Sequence, residues 1–282
     1  MRTGWKRRRR PMVLALAGLA LLLSVAVQLD AQFGQRGRNF RSVRVAQPED
    51  IDGRFQFCRA AFSNDNFGGD SDGNWSVDFP RADLNLSIRL AELTKTSVSL
   101  LDGEPNYLTV RFTDPALFGC PFIMMTEVGS ISISEREADA LRQYLLKGGF
   151  VWADDFWGDY SWDWWEAQLR RVLPAAEYPI VDLPSTHPLY SSQFVIEKTP
   201  QISNIGTWMQ TGGGTSERGA ESDVVNTRAI LDKHGHIMVL MTHNTDLGDS
   251  FEREADDPQY FLQMSVPGYA FGVNTLLYAL TH

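Results

Sequence analysis

The chain of 282 residues has two cysteines, and no C-x-x-C pair or Cys/His metal spacing can be built from them. That excludes a dithiol redox motif and a zinc ribbon or finger. The serine elbow G-x-S-x-G is missing, and with it the serine acyl-transfer site of an α/β-hydrolase. One segment, "GTSERGAE" from Gly214, has the glycine spacing of a phosphate loop, but Ala220 stands where the essential lysine belongs. Nucleotide binding therefore has no support. No internal repeat is visible, and no motif implies a cofactor.

What the sequence does have begins with a leader. "KRRRR" precedes the apolar run "PMVLALAGLALLLSVAVQL", and the small residue Ala31 follows. This pattern predicts a secretory signal peptide over residues 1–31. The apolar run is long for a signal, which makes an uncleaved membrane anchor the alternative. Either reading predicts export, to the periplasm or to the outer face of the inner membrane, with membrane contact only through the leader. Residues 1–31 carry a net +5, so residues 32–282 carry −14 against −9 for the whole chain. A surface this acidic repels phosphate backbones, so nucleic acid is not an expected partner. In an oxidising compartment Cys58 and Cys120 could pair. The alternative, which the sequence reading prefers, is two unpaired buried small residues.

Residues 32–50 are polar, basic and glycine-rich and read as a flexible spacer. Residues 51–282 read as one α/β domain. "RFQFCRAAF" (54–62) is an expected strand, followed by the Gly/Asp/Asn-rich loop "SNDNFGGDSDGNW". In "PRADLNLSIRLAELT", Leu84, Ile88 and Ala91 fall at helical spacing. "NYLTVRF" and "CPFIMMTE" are expected strands. "SEREADALRQYLLKGG" is the clearest helix: Ser134 and Glu137 form a capping box, Ala138, Leu141 and Leu145 an inward stripe, and Gly148 or Gly149 the stop. "FVWA" then returns as a parallel strand. An aromatic helix is expected around 161–173, a loop-rich stretch over 174–235, and a strand at "HIMVLMT". The C-terminal helical region is expected to break near Pro267 and Gly268. Strands alternating with helices predict an α/β sheet covered on both faces.

Several blocks carry a resemblance: "NWSVDFPRADLNLSIRLAELT", "DPALFGCPFIMMTEVGSISISEREADALRQYLLKGGFVWADDFWG", "HPLY", "TDLGDSFE" and "FGVNTLLYAL". In this order they resemble an uncharacterised bacterial envelope family, a domain of unknown function with a class I glutamine amidotransferase-like fold. The sequence is also similar to segments attached to BatA-type von Willebrand membrane proteins. The resemblance implies a flavodoxin-like, three-layer, mostly parallel sheet, and no activity. A working amidotransferase needs a cysteine at a sharp strand-to-helix turn and a histidine to activate it. The turn that would carry the cysteine is "VWADDFWG", which holds Asp154 and Asp155 instead.

The candidate site residues follow from that turn. Asp155, with Asp154 as helper, could bind a cation, a sugar hydroxyl or an amine at the ligand edge of an α/β sheet. The plainer reading has one carboxylate capping the next helix and the other in solvent. His243 and Asp246, in "MTHNTD", end a late strand. They are either the relic of a catalytic site or a loop histidine and a helix cap, and His243 with Asp154 and Asp155 is the set of a metal-assisted or carboxylate-based hydrolase alternative. Trp165, Leu169 and Val172 should face the core. Trp157 and Trp164 could be exposed, the basis of a carbohydrate-binding alternative, against core packing as the preferred reading for most of these aromatics. His234 and His236 could share one strand face as a metal pair, but with no third ligand in view they read as solvent-exposed turn histidines, and His187 is a loop residue set by Pro188. Asp70 and Asp72, in "GDSDGNW", alternate as in a calcium loop but lack its distal glutamate. The leading expectation is a non-catalytic exported domain that binds a small ligand or an envelope protein.

Overall fold

In a computed structural model, residues 45–64 and 74–282 are described. Asp70 and Asp72, the leader and most of the expected spacer lie outside them. The apolar runs become a seven-stranded sheet: β1 (Phe57–Ala60), β2 (Tyr107–Val110), β3 (Phe122–Thr126), β4 (Phe150–Phe156), β5 (Ile180–Asp182), β6 (Asn226–Leu231) and β7 (Ile237–His243), in the order β2-β1-β3-β4-β7-β6-β5. The first five in that order are mutually parallel, and β6 and β5 extend the sheet antiparallel. A parallel 2-1-3-4 run continued by a later strand is the doubly wound, flavodoxin-like order, whose switch point lies between β1 and β3.

The helices are α1 (Arg81–Leu93), α2 (Glu135–Leu146), α3 (Gly158–Val172), α4 (Ile205–Thr211), α5 (Leu247–Glu252) and α6 (Val266–Thr281). The two-residue period of the strands sends Phe57, Phe122, Met124, Trp152 and Leu240 to one face, where Leu86 and Leu90 of α1 and Phe271 and Leu276 of α6 complete a core. Helices α1, α5 and α6 pack together on that side, and α2 packs against α3. The result is a three-layer α/β fold. Among the described residues no helix is long and apolar enough to cross a membrane.

The capping box forms as expected: Ser134 Oγ accepts the Glu137 N–H (3.4 Å) and the Glu137 carboxylate accepts the Ser134 N–H (2.9 Å). Gly148, at φ +95°, ends α2 in the left-handed region. Trp165, Leu169 and Val172 are buried. Elsewhere the sequence reading needs correction. In α1 the buried face is Ala82, Asp83, Leu86, Ser87 and Leu90, while Ile88 is exposed. Two polar residues on the inward stripe had disguised its position. The stretch 174–235 is not all loop, since it supplies α4 and the antiparallel strands β5 and β6. Both strands lie toward one sheet edge and are only partly buried, so neither reads as an apolar run. Pro267 does not break the last helix but sits in the first turn of α6. The irregularity is a π-helical turn at Phe261–Ser265, where the missing proline N–H would leave a carbonyl unpaired.

The folded unit also begins before residue 51. Val45 bridges to Thr109, Ala46 is buried, and its N–H donates to the Thr109 carbonyl (2.9 Å). Cys58 and Cys120 are joined in a disulfide, against the preferred expectation of free thiols. Side-chain direction decides it: Cys58 alternates with Phe57 and Arg59 and points to the opposite face, toward the start of β3. The bridge closes a separation of 62 residues, worth on the order of 4 kcal/mol in the chain-entropy model. With Cys58 and Cys120 at 1% and 4% exposure, reductant alone should leave the native bridge intact for far longer than in mild denaturant. The Cys58→Ser/Cys120→Ser protein should unfold in urea with about 4 kcal/mol less stability. An unchanged midpoint would refute the stapling role.

Candidate functional site

At the carboxyl end of the sheet the core face turns from apolar to polar. Continuing the stripes of Phe57, Met124, Trp152 and Leu240, the next residues on the same face are Arg59, Thr126, Asp154 and Thr242, each fully buried. Arg59 donates through Nε to Asp83 Oδ2 of α1 (3.4 Å) and through its NH2 nitrogen to Asp83 Oδ1. Its NH1 nitrogen donates to Thr126 Oγ1 (3.1 Å), whose hydroxyl donates to the Trp75 carbonyl (3.2 Å). The pair lies at the switch point, on the strand where the two halves of the sheet diverge.

Strand β4 runs past the expected turn and includes both aspartates. It carries a β-bulge: Ala153 pairs with Met241 and Phe156 with His243, so three steps on β4 match two on β7. Asp155 takes up the extra residue at φ +55°. In a regular strand the adjacent aspartates would point apart, and the bulge brings them to one niche. Asp154 accepts the N–H groups of Leu247 (2.8 Å) and Gly248 (3.2 Å) through Oδ2, and the Thr242 hydroxyl through Oδ1. It therefore caps α5, not the next helix α3, whose Gly158 N–H is accepted by Asn244 Oδ1 (2.9 Å). Asp155 is 6% exposed rather than solvated, and its Oδ1 accepts the Trp157 indole N–H (2.9 Å). Both halves of the plainer reading fail.

Asp246 caps α5 as expected, its Oδ1 accepting the Asp249 N–H (2.8 Å). Beside it stands Asp78, which the sequence reading missed. One carboxylate oxygen each from Asp78, Asp155 and Asp246 lie within 4.8 Å of one another, and a second such set joins Asp78, Asp249 and Glu252. Asp78 belongs to both sets. Its Oδ2 is buried and accepts no hydrogen bond. A Cβ on Gly248 would sit 2.2 Å from that oxygen, so the first turn of α5 approaches it through a residue without a side chain. The carboxyls are pushed up in pKa. Burial is the main cause for Asp78, Asp155 and Asp246, reinforced by the neighbouring acids, and burial raises Asp154 to about 7 despite its hydrogen bonds. Asp249 rises for the same reason, opposed by the Ile205 N–H and by Arg253. Arg253 sits at the rim and also contacts Glu252 and Asp256.

His243 stands apart from these acids. It follows Thr242 on β7, so it faces the other layer, where its Nε2 lies 3.0 Å from the Gly158 carbonyl and its ring stacks on Phe156 and Trp162. Burial lowers its pKa, opposed by the Gly158 carbonyl. The expected grouping of Asp154, Asp155 and His243 is not formed. Trp157 is 6% exposed, and the Trp164 indole N–H is tied to the Ile131 carbonyl (2.7 Å). Neither is the open platform that the carbohydrate-binding alternative needs. Tyr160, 73% exposed, is the aromatic that this segment presents to solvent. His234 and His236 both lie in the turn that precedes β7, His234 exposed and His236 half-buried, so they are turn histidines as expected and not a strand-face pair. His187 fixes its own turn by accepting the Leu189 N–H (3.3 Å).

Arg59 and Asp249 did carry a signal: an arginine inside the apolar run "FCRAAF", and a second acid three residues after the cap in "TDLGDSFE". Nothing local marked Asp78. Two outcomes follow. Arg59→Met strands Asp83 and should cost about 3–5 kcal/mol in urea unfolding, with Arg59→Met/Asp83→Leu recovering most of it. Equal losses in both variants would remove the pair's special role. For Asp154 the folded pKa, about 7, exceeds the ordinary carboxyl value of 3.8. Its contribution is therefore present below about pH 4 and is lost as pH rises toward 7. Chelator-treated protein should melt lower at pH 7.5 than at pH 5, and Asp154→Asn should flatten that slope. A slope unchanged by the substitution would show that Asp154 does not titrate there.

No curated protein matches the chain. A family model, Domain of unknown function (DUF4159), matches residues 64–280. The match takes in α1, the bulged β4, the Asp246 turn and α5 together, and the chain belongs to the DUF4159 family.

Proposed function

We propose that this chain is an exported, non-catalytic binding domain of the bacterial cell envelope, taking its ligand at the carboxylate niche beyond β4 and β7. The observation that carries the reading is the chemistry at the β4 turn. There an amidotransferase-like fold would mount a cysteine, and this chain mounts Asp154 and Asp155. Both of its cysteines are consumed in a buried disulfide. Acyl transfer through a thiolate requires a free thiol beside a base. Here His243 faces the opposite layer and neither sulfur is free.

Export is supported by the basic-apolar leader and by the disulfide, which persists in oxidising compartments. The periplasm, or the outer face of the inner membrane if the leader stays, is the compartment that fits. The similarity to segments attached to BatA-type membrane proteins points to an envelope protein as the partner. The metal-assisted hydrolase alternative keeps its acids but loses His243 as base. The carbohydrate alternative loses Trp157 to burial.

A full-length chain carrying a C-terminal alkaline phosphatase should be active in intact cells and fractionate with the envelope. The purified protein should form no adduct with a glutamine-mimicking electrophile and release no ammonia from glutamine. A cytosolic chain with reduced thiols, or an adduct on Cys58 or Cys120 accompanied by ammonia, would sink the reading.

A further inference from the structure

We infer that Asp78, Asp155 and Asp246 form a binding site for a hard divalent cation, magnesium, manganese or calcium. This names the ligand of the niche and rests on the reading of the strand end as the binding site. The argument begins with an unmet demand. Asp78 lies 7% exposed with Oδ2 accepting nothing, and a buried acceptor without a donor costs about 1–3 kcal/mol. That oxygen lies against the first turn of α5, brought close through Gly248, and the same carboxylate stands within reach of two further acids.

Geometry selects a monatomic ligand. Oxygens coordinated to one ion at about 2.0–2.6 Å stand no more than about 4–5 Å apart. The three carboxylate oxygens, within 4.8 Å of one another, already meet that bound at its calcium end. All three residues are 7% exposed or less, which leaves no path for a metabolite-sized ligand. The donor set selects hard ions, since it contains oxygen alone. Imidazole and thiolate, which would favour zinc or copper, are absent: His243 faces the other layer and both cysteines are bridged.

The electrostatics agree. Asp78, Asp154, Asp155, Asp246 and Asp249 crowd together, with Glu252 at their edge. Of the nearby positive groups, Arg59 is committed to Asp83 and Arg253 to Asp249, Glu252 and Asp256, while Arg81 bears on Glu252 at the edge. The ligands are also held in place. Trp157 fixes Asp155 through Oδ1, and the Asp249 N–H fixes Asp246. The second set, Asp78 with Asp249 and Glu252, shares Asp78 with the first, so Asp78 is the ligand whose loss both positions would feel.

The competing account is that the acids stay protonated and bind nothing. Chelator-treated, disulfide-intact full-length protein at pH 7.5 separates the two. Titration with calcium, magnesium and manganese should raise the melting temperature by several degrees with saturation. Terbium should give luminescence excited through Trp157 and competed away by the preferred ion. Asp78→Asn and Asp246→Asn should each weaken binding tenfold or more. Without cation, Asp78→Asn should melt no lower than the wild type, which shows that the variant folds. Asp139→Asn, on the exposed surface of α2, should behave as the wild type. No binding of any of the three ions, or equal binding by the wild type and both site variants, overturns the inference. If the ions fail while the chain is exported and unlabelled, only the cation assignment falls. A cytosolic chain that still binds the ion removes the envelope reading instead.

Discussion

A guanidinium cut off from water holds the carboxyl end of this sheet together. Arg59 is the one charge on the core face of β1, and its three nitrogens join β1 to α1 through Asp83 and to β3 through Thr126. A doubly wound sheet is structurally weakest at its switch point, because the chain leaves in opposite directions and a crevice opens between the two crossovers. Here that crevice is crossed by an ion pair at one level and by the Cys58–Cys120 bridge at another. The two lie on opposite faces of the same strand. A buried ion pair adds little net stability over an apolar pair of equal volume. What it adds here is position, since it sets where the start of α1, and with it the Asp78 segment, comes down over the sheet.

Asp154, Asp155 and Asp246 are ordered by backbone dipoles and a bulge rather than by cations. Asp154 and Asp246 both answer to the free N–H groups at the start of α5, the place where a helix favours negative charge. Trp152, Thr242 and Asp154 form a donor chain in which the indole donates to the Thr242 hydroxyl (3.0 Å) and that hydroxyl donates to the carboxylate. The niche is therefore rigid on its sheet side. Positive φ values at Asp78, Glu127, Asp155 and Asn244 gather at this end of the sheet. Such conformations cost about 1–3 kcal/mol each and persist where the surroundings over-determine them.

Much of the fold was legible because it rests on local signals. The capping box at Ser134, the glycine stop after Leu146 and the return strand at Phe150 fix one parallel crossover unaided. The strand-end location of the site was legible as well, through the general rule for α/β sheets. The details were not. A one-residue bulge reverses the facing of a side chain, and nothing in "VWADDFWG" announces it. Trp157 read as a loop residue because its burial depends on a hydrogen bond to the preceding bulge. Asp78 is brought to Asp246 from 168 positions away along the sequence, a contact that exists only after the sheet is assembled. The disulfide was undecided for a related reason: pairing depends on which face of β1 Cys58 takes, and the neighbouring Phe57 and Arg59 are as buried as it is.

Gly248 ties two distant parts of the chain into one inherited unit. Any larger residue there would drive its first carbon into the Asp78 carboxylate, so the loop before α1 and the first turn of α5 are not free to drift separately. Across relatives, an acid at position 78 and the smallest residue at position 248 should appear or disappear together. A lineage that relaxed the second could do so without collision only after surrendering the first.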